Sequence, residues 1–214
     1  MSLQRACVGA LFAILSFNSI ASDWTFKKSD DVLGIKVFVR DVLDSKYKEF
    51  KAVTQVKSTL GGVVSLLADS DNTHNWIDNM RSNKVLKRSG STSISYSVTH
   101  SKGIISARDN IVQSSLDQDW DTNAVTIAFK GRPDYLPEVD GVVRVPYVNG
   151  KYVLTPKANG WVEVVFQVHV NPGGRIPAFL YNLAIAKSPL NTLAGMHQQM
   201  YKYNGKTMEA IDEL

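Results

Sequence analysis

Hydrophobic positions recur at every second residue through most of this chain. Ile35, Val37 and Val39 alternate with Lys36, Phe38 and Arg40, and Phe50, Ala52, Thr54 and Val56 alternate with Lys51, Val53, Gln55 and Lys57. A period of two places one set of side chains on one face of an extended segment, so both stretches are predicted strands with at least one buried face. Residues 24–28 form a shorter strand candidate, closed by the turn-forming Ser29-Asp30-Asp31. The pattern then switches. Residues 59–68 are a compact apolar run, and residues 72–80 continue as a second short helix that Asp71 or Asn72 could cap. From Asn83 the strand period returns. Ile94, Tyr96 and Val98 alternate with Ser93, Ser95, Ser97 and Thr99, and Val125, Ile127 and Phe129 alternate with Thr126, Ala128 and Lys130. Val162, Val164, Phe166, Val168 and Val170 stand against Glu163, Gln167 and His169. Asn149-Gly150 reads as a hairpin between Tyr147 and Tyr152, and Asn159-Gly160 as another reversal.

The end of the chain breaks this rhythm. Gly173 and Gly174 permit a sharp reversal, Pro177 suits the first helical position, and residues 178–200 contain one charged side chain, Lys187. Ile176, Phe179, Leu180, Leu183, Leu190 and Ala194 recur near helical spacing and predict one wide apolar face. Pro189 cannot donate to the carbonyl of Ile185, which predicts a kink there. Strands, two short helices, many antiparallel strands and one long helix predict an α+β fold, with a large curved antiparallel sheet wrapped around a long C-terminal helix. A sheet gripping a helix can enclose a ligand cavity.

Composition narrows the functional classes. One charge, Arg5, precedes an apolar run over residues 6–17, and Ser19-Ile20-Ala21 offers small residues where a signal peptidase cuts. Residues 1–21 are therefore read as a signal peptide and residues 22–214 as a single domain, periplasmic or secreted. Cleavage would remove only Arg5 among the charged residues, so the net charge falls from +4 to +3 and gives no footprint for nucleic acid. It would also remove Cys7, the one cysteine, leaving no thiol nucleophile or disulfide. His74, His100, His169 and His197 lack metal-ligand spacing, so neither a metal nor a cofactor is expected. Asp117, Asp119 and Asp121 lack the glycine and glutamate of a calcium loop and read as a solvated turn. Arg81, Lys84, Lys87 and Arg88 form a modest basic cluster, read as a guarded strand edge rather than a membrane patch.

Motifs taken in chain order carry more. Residues 50–56 followed by 63–67 and Asn75-Trp76, then Ile104-Ile105-Ser106-Ala107-Arg108-Asp109, Val143-Arg144-Val145-Pro146 with residues 152–156, and finally Asn171-Pro172-Gly173-Gly174-Arg175-Ile176-Pro177 with Asn182, together resemble a StAR-related lipid-transfer (START) domain over roughly residues 24–200. The resemblance implies a helix-grip fold whose tunnel holds one lipid or other hydrophobic small molecule, with transient membrane contact during loading. It implies that Tyr96, Arg108, Val112, Ser114, Phe129 and Val145 line the ligand site. Tyr147, Phe166 and the helix face of Phe179, Leu180, Leu183 and Leu190 would complete it, with Trp161 able to reach a headgroup and Trp76 anchoring the short helix. Sterol-binding members pair a buried acid with an arginine, whereas Ser114 stands near where that arginine would be, which implies a more neutral pocket. No catalytic residue is assigned. The competing classes are a cavity enzyme of the wider superfamily, cyclase- or hydrolase-like, with Arg108, Tyr96 and His100 as candidates, and a ligand-free interaction module. A filled interior would mark the module, and a void of lipid dimensions would mark carriage.

Overall fold

The computed structural model describes residues 23–213 other than Lys102 and Ile104, so the signal peptide expected over residues 1–21 lies outside the described residues. Strands β1 (Thr25–Asp30), β2 (Ile35–Arg40) and β3 (Glu49–Lys57) open the chain. Asp30 ends β1 by accepting the amides of Val32 and Leu33 at 3.1 Å each, and Gly34 supplies the positive φ that completes the turn. Helix α1 (Leu60–Ala68) starts where Thr59 caps it, its hydroxyl accepting from the Gly62 amide at 3.0 Å. The second short helix differs from expectation. It is a 3-10 segment, Ser70–Asn75, capped two residues earlier by Asp69, whose carboxylate accepts from the Asn72 amide.

Strands β4 (Met80–Ser89), β5 (Thr92–Thr99), β6 (Arg108–Gln118), β7 (Val125–Gly131), the two-residue β8 (Val143–Arg144), β9 (Tyr147–Lys157) and β10 (Trp161–Asn171) complete one sheet. Its order is β1-β2-β3-β10-β9-β7-β6-β5-β4, antiparallel throughout that path, with β8 pairing parallel to β6. The sheet curves around the C-terminal helical region, as the strand and helix order predicts. The turn between β6 and β7 is the expected solvated one, where Asp119 accepts from the amides of Asp121 and Thr122. Asn159 and Gly160, both at positive φ, make the tight turn between β9 and β10. Asn149-Gly150 makes no turn at all. It lies inside β9, and a Cβ on Gly150 would stand 2.6 Å from the Gln167 carbonyl oxygen and 2.7 Å from the Phe129 ring. The glycine is there for close approach, not for reversal.

The long helix is two pieces, α2 (Ala178–Ala184) and α3 (Lys187–Gln199). Pro177 sits outside α2 as its cap, and its carbonyl accepts from Leu180 and Tyr181. The break falls at Ile185–Ala186, one turn before Pro189, because the proline ring excludes the carbonyl four residues back. Pro189 itself sits in the first turn of α3, where no amide is needed. α3 packs into the concave face: Leu193 and Met196 are fully buried with Val63, Leu66, Ala52 and Val164. Gly195 lets α3 touch the backbone of the 3-10 segment's flank, since a Cβ there would lie 2.4 Å from the Trp76 carbonyl oxygen.

Candidate functional site

Cross-strand register decides which residues face the interior. On β10, Val162, Val164, Phe166, Val168 and Val170 face inward, paired with Pro156, Leu154, Tyr152, Gly150 and Val148 of β9. β7 adds Val125, Ile127 and Phe129 opposite Leu154, Tyr152 and Gly150. Continuing to β6 through Leu116↔Ile127 and Ser114↔Phe129, the inner positions are Asn110, Val112, Ser114 and Leu116. On β5 the inner partners are then Ser93, Ser95 and Ser97, opposite Ser114, Val112 and Asn110.

The period of two on β5 is thus real but inverted relative to expectation. Its serines face inward, while Ile94, Tyr96 and Val98 face the other side. The loop between β7 and β8 allows this by covering the outer face of the neighbouring strand: Arg132 donates its amide to the Ile111 carbonyl, and Ile111 is fully buried there.

A cavity of about 270 Å³ opens against this inner wall. Val64 and Leu67 of α1, Val85 of β4, Leu116 and Ile127 form its apolar side, and Ser93, Ser95 and Ser114 its polar side. Met208 and Ala210 of the C-terminal tail close one end, and Arg88 stands exposed at the mouth. This differs from the expected location: under α3, Leu193 and Met196 are fully buried in the core, and the hollow lies toward the β4–β6 wing. From Ile127 an apolar belt continues along one row to Tyr152 and Phe166, whose rings stack at 4.3 Å, and on to Phe50. Val112, Phe129, Phe166 and Tyr181, each partly buried, pack against the buried cluster of Phe50, Val145, Val168 and Ile185.

The predicted site residues therefore divide. Ser114 borders the cavity; Val112, Phe129 and Phe166 are on the inner face and partly open. Val145 is buried in the second cluster, and Leu190 packs on the main core. Tyr147 is on the outer face, edge-on to His169, and Trp161 is also outward beside Lys57, because both have the odd parity opposite to Val148 and Val162. Phe179 and Leu183 are each 71 % exposed and Leu180 is 47 % exposed, so this helix face does not pack against the sheet. Lys187 is exposed to solvent.

Tyr96 and Arg108 are hydrogen-bonded within the protein. Tyr96 sits on the outer face, and its hydroxyl donates to Asp109 at 3.1 Å; desolvation, reinforced by that carboxylate, holds its phenol above the ordinary value. Arg108 is inward by parity, but its guanidinium donates to the carbonyls of Pro172 at 3.1 Å and Ser106 at 2.6 Å. It ties the loop carrying Ile105 to the loop that launches α2, and burial lowers its pKa from the ordinary arginine value. Tyr96 and Arg108, proposed partners with His100 in a catalytic set, thus serve opposite faces of the sheet.

Sequence reasoning missed the most buried ion pair among the described residues. Arg144, from β8, donates Nε to Asp109 Oδ1 and Nη2 to Asp109 Oδ2, both at 2.9 Å, and both side chains are almost fully buried. Its remaining donors reach the carbonyls of Pro133, Leu136 and Pro137. Hydrogen bonding to Asp109 raises the Arg144 pKa further, so the guanidinium stays charged. A detectable signal existed: Asp109 shares strand parity with buried Ile111, so it needed a partner.

His197 on α3 meets Thr54 of β3, Nε2 to Oγ1 at 2.8 Å. Desolvation lowers its pKa below the ordinary 6.5, with Asp30 pulling the other way. As pH falls the unfolded chain takes up this proton first, so native stability is lost below about pH 6.5 and on through the lower folded value. Thermal melts across about pH 5–8 should show that His197→Gln flattens this part of the profile; an unchanged slope would show that His197 is not its source. No group of three or more candidate metal-binding side chains occurs among the described residues, and no described helix is long and apolar enough to cross a membrane.

Comparison with known proteins places this architecture. The chain is 33 % identical over 193 residues to an uncharacterized protein of Pseudomonas aeruginosa, PA1579, spanning 90 % of this chain and 94 % of that one. A STAR-related lipid transfer protein from Xanthomonas axonopodis superposes with a TM-score of 0.77 at 30 % identity, covering 83 % of this chain and 98 % of that structure. Human StAR-related lipid transfer protein 5 shares the fold, with a TM-score of 0.76 at 15 % identity over 87 % and 89 % of the two chains. The START domain model matches residues 22–207, and the chain belongs to the START domain family.

Proposed function

We propose that this protein is an exported, soluble lipid carrier that holds one hydrophobic ligand against its inner sheet and does no chemistry on it. The observation that carries this reading is the continuity of partly covered apolar surface. It starts at Leu116 and Ile127 in the cavity, passes Tyr152 to Phe166 and to Tyr181 of α2, whose Phe179, Leu180 and Leu183 stand exposed among the described residues. Each methylene removed from water contributes about 0.8 kcal/mol, so an acyl chain along this belt binds without any charged contact. The cavity is small for a whole lipid. Loading then requires α2 to swing on its break at Ile185–Ala186, and its bare apolar face is the part that meets a membrane surface. The similarity to a STAR-related lipid transfer protein of Xanthomonas axonopodis, at 30 % identity, supports the same reading.

Filling the cavity tests it. Ser95 lies on the inner wall opposite Val112, so Ser95→Phe projects a ring into the hollow. After incubation with vesicles made from a total lipid extract of the host, native mass spectrometry should find lipid on the wild type and little on the folded variant. Equal uptake by both would place the ligand elsewhere. Export is tested separately: N-terminal sequencing of protein from the periplasm or medium should begin at Ser22, and a chain retained inside the cell with Met1 intact would refute it.

A further inference from the structure

On the inner wall one cross-strand row is polar from end to end. Asn83 of β4 pairs with Ser97 of β5, which pairs with Asn110 of β6. The side-chain carbonyl oxygens of Asn83 and Asn110 are both buried and both lack a hydrogen-bond partner among the described residues. Ser97 does not serve them, since its hydroxyl donates to the Asn110 backbone carbonyl. Leaving such an acceptor unpaired costs about 1–3 kcal/mol, and two in one row call for donors from outside the chain. The next row holds Val85, Ser95 and Val112, and the one after it Arg88, Ser93 and Ser114, with Ser93 and Ser114 hydrogen-bonded to each other. Asn83 borders the cavity directly, and Asn110 shares its face with Ser114.

We infer that the Asn83–Ser97–Asn110 row receives the polar end of the ligand, and that this end is uncharged and carries hydroxyl or amide donors. The inference rests on the lipid-carrier reading and specifies its cargo. Orphan acceptors repel phosphate and carboxylate oxygens. An ammonium group would need a counter-charge, and the three rows supply no carboxylate. A trimethylammonium head has no N–H or O–H to give. The one charge bordering the cavity, Arg88, is exposed at its mouth, two rows away from the asparagines. Adjacent strands lie roughly 5 Å apart, so the two asparagines span about 10 Å and suit a head with two donors better than one.

The test uses three single-chain probes in phosphatidylcholine vesicles: monooleoylglycerol, the same lipid with both hydroxyls acetylated, and oleoyl lysophosphatidic acid. Native mass spectrometry reads which lipid the wild-type protein extracts. Monooleoylglycerol should be favoured about tenfold or more over its diacetate, as for sites whose polar groups are unpaired without the donor. Asn83→Leu and Asn110→Leu, singly, should erase the preference while leaving uptake of the diacetate. Equal binding of the two glycerides, or preference for lysophosphatidic acid or phosphatidylcholine itself, overturns the inference and leaves the carrier role standing. Binding of no lipid at all overturns the carrier role instead. The wild-type comparison decides even if a variant fails to fold.

Discussion

Arg144→Met is expected to lower the unfolding free energy by about 3–5 kcal/mol, the cost of leaving a buried charge without its partner. The guanidinium makes two bonds to Asp109 and holds the carbonyls of Pro133, Leu136 and Pro137, so its removal both strands a carboxylate and frees the loop that covers Ile111. Tyr96, the other hydrogen-bond donor to Asp109, cannot neutralise it. The double variant Arg144→Met/Asp109→Leu should recover most of the loss, because an apolar pair of similar size removes the desolvation problem. Urea denaturation of the three proteins measures this. A loss below about 1 kcal/mol for Arg144→Met would mean that the pair behaves as an exposed one and that the outer loop is not held by it.

Gly195→Ala should destabilise the protein by about 2 kcal/mol even though alanine is the better helix former. Helix propensity alone would add roughly 1 kcal/mol of stability, but the new methyl would meet the Trp76 carbonyl oxygen at 2.4 Å and the Trp76 Cα at 2.8 Å. Both are backbone atoms and cannot rotate away, which puts the overpacking cost near the top of its usual range of about 1–3 kcal/mol. Near-UV circular dichroism should report a disturbed Trp76. A gain in melting temperature would contradict the close approach of α3 to this segment.

The parts of the fold that follow from local chemistry were legible in the sequence. The valines of β10 and the Asn159-Gly160 turn each state their geometry within a few residues. What failed was decided by distant partners. Gly150 reads as a turn until Phe129 is seen lying over it, and the polarity of β5 cannot be assigned without the loop that covers the outer face of its neighbour β6. The break near α2 was foreseeable in kind, since Pro189 excludes the Ile185 carbonyl, but the displacement by one turn follows from the proline's place in the first turn of α3. For the site, inner-face apolar residues such as Val112, Phe129 and Phe166 could be named from alternation on strands whose inner side is apolar. Tyr96 and Tyr147 could not, because an amphipathic ring is at home on either face. The serine and asparagine wall was hidden for the opposite reason: polar residues at every second position ordinarily mark the solvent side.

Lipid occupancy of the wild-type protein bears most directly on the account. Protein purified from its own host under gentle conditions, or exposed to vesicles when empty, should show by native mass spectrometry one bound lipid per chain that is lost on denaturation. A chain that emerges bare and takes up nothing from vesicles of any composition would contradict it.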